Sequence, residues 1–199
     1  AFDLVGTAIG VVEREAVIDG SRVVAGDALI ALPSSGMQTN GYSLVRRLWG
    51  IGEDPARDRE LLTVHDADLG ESLGEALLSV HGSFLAALRP LLGRSAGPLH
   101  GIAHITGGGI PGNLSRIVPA GLSTRVDRGS WRPPPLFQRI RRDGDLPDEE
   151  VWRTFNMGVG LVIAVNAAEA VSVARELDGS WLLGEVVEQA DGESVVTIV

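Results

Sequence analysis

The chain has 199 residues, with 17 basic and 26 acidic side chains, a net charge of −9 and 44% hydrophobic residues. That length allows one domain with a sizeable core or two small ones, and the surplus of acid excludes a non-specific nucleic-acid binder, which needs a dominant positive field. The lack of cysteine excludes disulfides, thiolate metal sites and a Cys nucleophile, and no apolar run approaches the ~20 residues of a membrane span.

A small anionic ligand stays open, because its site needs only local donors. Aromatic residues are 5% of the chain, so the core rests on Leu, Val, Ile and Ala, and the 26 glycines point to tight loops. The opening AFDLVGTAIGVVEREAV lacks a basic segment ahead of an apolar one. The chain therefore reads as cytoplasmic. Residue 1 is Ala rather than Met, so the start reads as a processed, cloned or cleaved end.

Residues 4–18 are small and β-branched and predict a strand. ALIAL at 28–32, bounded by Asp27 and Pro33, predicts a short buried strand. SLVRRLW at 43–49 predicts a helix stopped by Gly50 and Gly52. Residues 53–68 read as a polar surface loop with a partial helix. Apolar residues at helical spacing over 73–92 predict one helix with an interruption near Gly82. GRSAGP, 93–98, reads as a loop, and LHGIAHIT, 99–106, as a strand ending in three glycines. PGNLSRIVP reads as a short helix or turn. Pro133–Pro135 forces an extended segment before the helix LFQRIRRDG, with Gly144 as its C-terminal cap. LPDEEVWRTF, 146–155, opens a helix with a proline and acidic residues. VGLVIAV, 159–165, is a buried strand, AAEAVSVARELDG, 167–179, an amphipathic helix, and SWLLGEVVE and SVVTIV a closing antiparallel hairpin. About six strands and four or five helices result, an α+β fold with a mixed sheet covered by helices and no linker that would split the chain.

Three segments could carry chemistry. In strand–PSSGMQTNG–helix, small residues leave backbone N–H groups free at a helix N-terminus, where the dipole adds positive charge. Ser34, Ser35, Thr39 and Asn40 add donors, and Gly36 and Gly41 permit close approach. The segment is either an anion cradle or a capped Ser/Asn-rich turn; it is not a Walker loop, since the Lys is missing. HITGGGIPGN places Thr106 and Gly107, Gly108 and Gly109 after a strand, as a ligand approach or a sharp exit. TFNMGVG puts Asn156 and Gly158 at the mouth of a buried strand, a contact or a helix-to-strand turn. His65, His81, His100 and His104 lack metal-ligand spacing and read as satisfied histidines. Arg139, Arg141 and Arg142 read as a solvated helix face, with Arg139 and Arg142 able to share a side against a polyanion.

Taken together, GDALIALPSSGMQTNGYSLVRRLW, GIAHITGGGIPGNLSRIVP, RTFNMGVGLVIAV and the ending LLGEVVE…VVTIV resemble the phosphoribosylformylglycinamidine cyclo-ligase (AIR synthetase) family in order and spacing, across essentially the whole chain. The resemblance implies closure of the imidazole ring of aminoimidazole ribonucleotide in de novo purine biosynthesis. ATP activates the formyl oxygen of formylglycinamidine ribonucleotide, and ADP and phosphate are released. It also implies a two-domain homodimer. An N-terminal domain carries Mg and much of the ATP site, and residues 1–199 correspond to the three-layer α+β C-terminal domain that completes it. Ser34, Ser35, Gly36, Gln38, Thr39, Asn40 and Gly41 would bind substrate or phosphate, with Thr106, Gly107, Gly108 and Gly109 opposite and Asn156 and Gly158 as further contacts. No catalytic residue is assigned, and no metal ligand is expected in this chain.

Two departures stand out against that resemblance. Gln38 occupies a position where the family usually has His, and Gln does not titrate near neutral pH. Val80-His81-Gly82 stands where the family tends to have Pro, Thr or His, then Arg, so a bidentate anion partner is lost. The competing readings are a non-catalytic module that binds a ribonucleotide phosphate or dimerises, and a related enzyme such as selenophosphate synthetase.

Overall fold

A computed structural model describes residues 5–92, 94, 97–193 and 195–199. Its strands are β1 (Ala28–Pro33), β2 (His65–Asp66), β3 (Glu71–Ser72), β4 (Leu99–His104), β5 (Leu122–Val126), β6 (Val159–Val165), β7 (Trp181–Glu188) and β8 (Val196–Ile198). Its α-helices are α1 (Tyr42–Trp49), α2 (Pro55–Thr63), α3 (Leu73–Leu77), α4 (Leu85–Leu92), α5 (Gly109–Leu114), α6 (Pro135–Gly144), α7 (Asp148–Thr154) and α8 (Ala170–Glu176).

Six strands form one mixed sheet in the order β4-β6-β1-β7-β5-β8, and β2 and β3 pair separately. The interior strand β6, between β4 and β1, is buried along its whole length, as a continuous apolar run should be when both faces are covered. Alternate residues serve two cores. Leu29, Ala31, Ala103, Val162 and Ala164 pack with α1, α5, α6 and α7 on one face. Ile30, Leu32, Leu161 and Ile163 pack with α4 and α8 on the other. The result is the expected three-layer α+β arrangement.

Three expectations need correction, and a fourth needs refining. Residues 5–18 form no strand: Val5, Ile9 and Val11 are 94%, 94% and 101% exposed, and the one regular element is a short 3-10 turn at Arg14–Ala16. β-Branched residues make a strand only when a neighbour takes up their backbone groups, and nothing among the described residues does so here.

The terminal hairpin is absent because β5 lies between its two arms. β5 pairs antiparallel with β7 and parallel with β8. Sequence reasoning misses β5 because Ser123 and Thr124, both fully buried, break the apolar pattern.

The interruption expected near Gly82 in the 73–92 helix is present but wider than a kink: α3 and α4 are separated by an irregular segment at 78–84. The cap of α6 is Asp145, at φ 45, rather than Gly144. Smaller differences follow from local chemistry. Most of 53–68 is helical because Asp54 caps α2 by accepting from the N–H groups of Ala56 and Arg57, with Pro55 in the first turn. The predicted loop 93–98 and the start of SVVTIV lie partly outside the described residues.

Candidate functional site at one end of the sheet

Strand β6 runs antiparallel to both β1 and β4. Its entry therefore lies beside the exits of the other two, and the three sequence-predicted segments meet at one end of the sheet. Two backbone bonds hold them there: Ser34 N–H donates to the Gly158 carbonyl at 2.8 Å, and Ile105 N–H to the Gly160 carbonyl at 3.0 Å.

Two buried asparagines lock the loops. Asn156 accepts from the Ser34 hydroxyl at 2.9 Å and from Gly158 N–H at 2.8 Å, and its amide donates to the Gly36 carbonyl at 2.9 Å. Asn113 does the same for the glycine run. Its amide donates to the carbonyls of Thr106, Gly107 and Gly109, and its oxygen accepts from the Thr106 hydroxyl at 3.1 Å. Asn113 was missed by sequence reasoning; an Asn inside a helix, where it competes with the backbone for hydrogen bonds, was the available signal. Two glycines permit the close packing. A Cβ on Gly41 (φ 79) would stand 2.2 Å from the Phe155 ring, and one on Gly109 (φ 61) 1.8 Å from the Trp152 carbonyl oxygen.

These contacts divide the predicted site residues. Ser34, Thr106, Gly109, Asn156 and Gly158 brace the loops internally. Ser35 turns to the 78–84 segment, where its hydroxyl donates to the Val80 carbonyl at 2.5 Å and accepts from Gly82 N–H at 2.9 Å. Gln38 is 3% exposed at φ 58, and neither end of its amide finds a partner among the described residues. The Asn40 amide nitrogen is likewise unpaired.

Thr39, Gly41, Gly107 and Gly108 stay near the surface, and Asn40 faces Gly107 across the gap. A cleft of about 410 Å³ opens beside them, lined by Thr39, Gly41, Ser43, Arg47, Glu150 and Thr154 among others. A neighbouring hollow lined by Gly108, Glu149, Arg153 and Thr154 continues it over α7. The α7 residues on this wall were also missed; they read only as a helix start.

The cleft brings one cation, Arg47, and one acid, Glu150, to the N-terminus of α1. The first-turn N–H groups of α1 have no intrahelical acceptors, and its N-cap Gly41 brings no side chain to them. The helix dipole concentrates positive potential there. Arg47 lies on the same wall and enters no ion pair among the described residues. The Tyr42 hydroxyl, donating to the Leu77 carbonyl at 2.5 Å, fastens this end of α1 to α3.

Beyond Ser35 the 78–84 segment carries a second polar group. His81 Nε2 and His104 Nε2 lie 3.2 Å apart, with Phe84 beside His104. Burial, and then the neighbouring His81, hold the His104 imidazole below its ordinary value of 6.5. His100 is the satisfied histidine expected, 2.7 Å from Asp27. The arginines of α6 are matched by acids. Arg139 reaches Asp66 and Asp143 and lies over Trp49, Arg142 reaches Asp68 and Asp143, and Arg141 reaches Asp148. They bind α6 to its surroundings rather than forming a polyanion surface. Among the described residues no group of three or more His, Asp or Glu is placed to hold a metal ion.

A mixed sheet between helical layers, with small-residue loops gathered at one end, is the AIR synthase-like fold. It is shared by thiamine-monophosphate kinase from Stenotrophomonas maltophilia K279a, at TM-score 0.58 and 20% identity over 94% of this chain and 54% of that one. E. coli HypE shares it at TM-score 0.54 and 18% identity over 90% and 48%. Within that fold the chain belongs to the family described as AIR synthase related protein, C-terminal domain, which matches residues 24–197. Curated relatives are named phosphoribosylformylglycinamidine cyclo-ligase. The protein of Sorangium cellulosum is 44% identical over 197 residues, 96% of this chain and 54% of the relative. That of Nitrosococcus oceani is 41% identical over 199 residues, 98% and 53%. The chain spans about half the length of the curated relatives it matches.

Proposed function

We propose that residues 1–199 form the C-terminal domain of an ATP-dependent phosphoribosylformylglycinamidine cyclo-ligase and supply one wall of its site. The reaction is the ring closure of formylglycinamidine ribonucleotide to aminoimidazole ribonucleotide in purine biosynthesis. The observation that carries this reading is the meeting of the three loop segments at one sheet end, in a chain 44% identical to a protein of that name.

The cleft beside α1 takes the ribonucleotide phosphate. Thr39, Ser43 and the first-turn N–H groups donate to its oxygens, and Arg47 offers a charge-assisted contact. Gly107 and Gly108 form the opposite lip. Glu150 accepts from a sugar hydroxyl. Asn156 and Asn113 keep both loops in place before substrate arrives, so less ordering entropy is lost on binding. This chain's part in the chemistry is positioning and charge stabilisation.

ATP is a co-substrate. Among the described residues no cluster of acids fits a Mg cage, and we assign Mg and most ATP contacts to an N-terminal domain outside this chain. That domain is the first partner, a homodimer the expected assembly, and the cytoplasm the expected compartment. The test is ADP release dependent on formylglycinamidine ribonucleotide, measured for this chain alone and combined with the N-terminal domain of a relative. Release only from the combination is expected. No release from a combination shown to associate contradicts the reading. Phosphate binding without turnover would favour the non-catalytic module, the second reading, which the buried, non-titrating Gln38 motivates.

A further inference from the structure

Resting on that reading, we propose that His81 and His104 act together as the proton acceptor of the ring-closing step. When the ring closes, the attacking nitrogen bonds to the formyl carbon. The bond from that carbon to the phosphorylated oxygen breaks, and phosphate leaves with the electron pair. The nitrogen releases one proton, which needs an acceptor. Gln38, where the family resemblance calls for His, cannot take it.

The pair is placed for this role. His104 ends β4, two residues before Thr106 of the glycine loop, and His81 lies in the segment that Ser35 holds by two hydrogen bonds. Loop 34–41 thus touches both places, lining the phosphate cleft with Thr39 and Gly41 and holding the His81 segment with Ser35. A Cβ on Gly160 would meet both the Phe84 ring and Gln38 Nε2, which places the unpartnered Gln38 amide next to the ring that packs on His104.

With two Nε2 atoms 3.2 Å apart, a neutral pair holds one proton between them. The ring that donates it has a bare Nδ1. A proton taken there gives an imidazolium whose Nε2–H bond to the other ring becomes charge-assisted and stronger. A second proton places two cations side by side, so the pair titrates in two coupled steps. The groups facing His104 from the packed elements are His81 and Phe84. No carboxylate or guanidinium among the described residues pairs with either imidazole.

Two experiments decide. In the first, an NMR titration of the imidazoles in this chain should show two coupled steps. In His104→Gln that coupling should disappear. Independent titrations in the unsubstituted protein overturn the proposal. In the second, the assembled enzyme is assayed for substrate-dependent ADP release across pH. His81→Gln and His104→Gln should each lower kcat by about 10²-fold or more with KM little changed. Each should abolish the acid limb of the profile. The double variant should lose little beyond either single, because the two act as a unit. Variants that keep kcat and the acid limb, in an enzyme whose unsubstituted form turns over, overturn this inference alone. An unsubstituted enzyme without substrate-dependent release overturns the parent reading and this inference with it.

Discussion

Replacing Asn156 with Ala tests whether the loops at the sheet end are locked by one side chain. Asn156 is 1% exposed and satisfies two donors and one acceptor. In the Ala variant the Ser34 hydroxyl and Gly36 carbonyl, both half-buried, recover water in part. The Gly158 N–H is buried and does not. An unsatisfied buried group costs about 1–3 kcal/mol, and the side-chain void adds to it. We expect a loss of about 2–4 kcal/mol, which is a large share of a stability of about 5–15 kcal/mol. Urea unfolding followed by tryptophan fluorescence should show a lower midpoint with an unchanged slope. Phosphate affinity should fall as well, because Ser34 and Gly36 anchor the loop that carries Thr39 to Gly41. A loss under about 1 kcal/mol with intact phosphate binding would show that the backbone bonds from Ser34 and Ile105 hold the loops by themselves.

Other perturbations follow from the same geometry. Gly41→Ala combines a left-handed backbone with a Cβ only 2.2 Å from the Phe155 ring; a loss of about 2–4 kcal/mol by urea unfolding is expected from overpacking and backbone strain, and a neutral result would refute the contact. Ser35→Ala should leave phosphate affinity within about twofold, because its hydroxyl serves Val80 and Gly82; proteolysis should become faster in segment 78–84, where two neutral hydrogen bonds of about 1 kcal/mol each are lost. Burial pushes the Asp143 carboxyl up, but hydrogen bonds from Arg142, Trp49 and Arg139 outweigh it and hold the group below its usual 3.8. Its stabilising effect is therefore full above the unfolded value and is lost as pH falls through the folded one. Asp143→Asn should be less stable than the unsubstituted protein at pH 7, and the gap should close below about pH 4 in acid unfolding; a gap independent of pH would refute the ion-pair role.

The parts of the fold that sequence made legible are those with strong local causes. β6 is an unbroken apolar run, α1 ends at glycines, and α7 opens on a proline and three acids. What escaped depends on distant partners. β5 is a strand only because β7 and β8 flank it, and residues 5–18 fail to be one because no described strand lies beside them. The 73–92 pattern is periodic across a break, since Leu77 and Leu88 face different cores. The candidate site divides the same way. Its three segments were visible as glycine- and serine-rich strand exits. Which side chains brace them and which face the cleft was not, because a hydroxyl in sequence does not show whether its partner is a ligand or the Asn156 amide 122 residues away. The His81–His104 contact joins two segments 23 residues apart and has no sequence signature at all.

The claim most exposed to test is that the α1 cleft takes the substrate phosphate. Calorimetric titration of the chain with formylglycinamidine ribonucleotide, repeated on Arg47→Glu, reads it directly. A hydrogen bond to a charged group is worth about 1.5–3 kcal/mol, so affinity should fall at least about tenfold while the urea midpoint stays in place. Unchanged affinity in a folded Arg47→Glu protein would contradict the account and move the phosphate elsewhere on the sheet end.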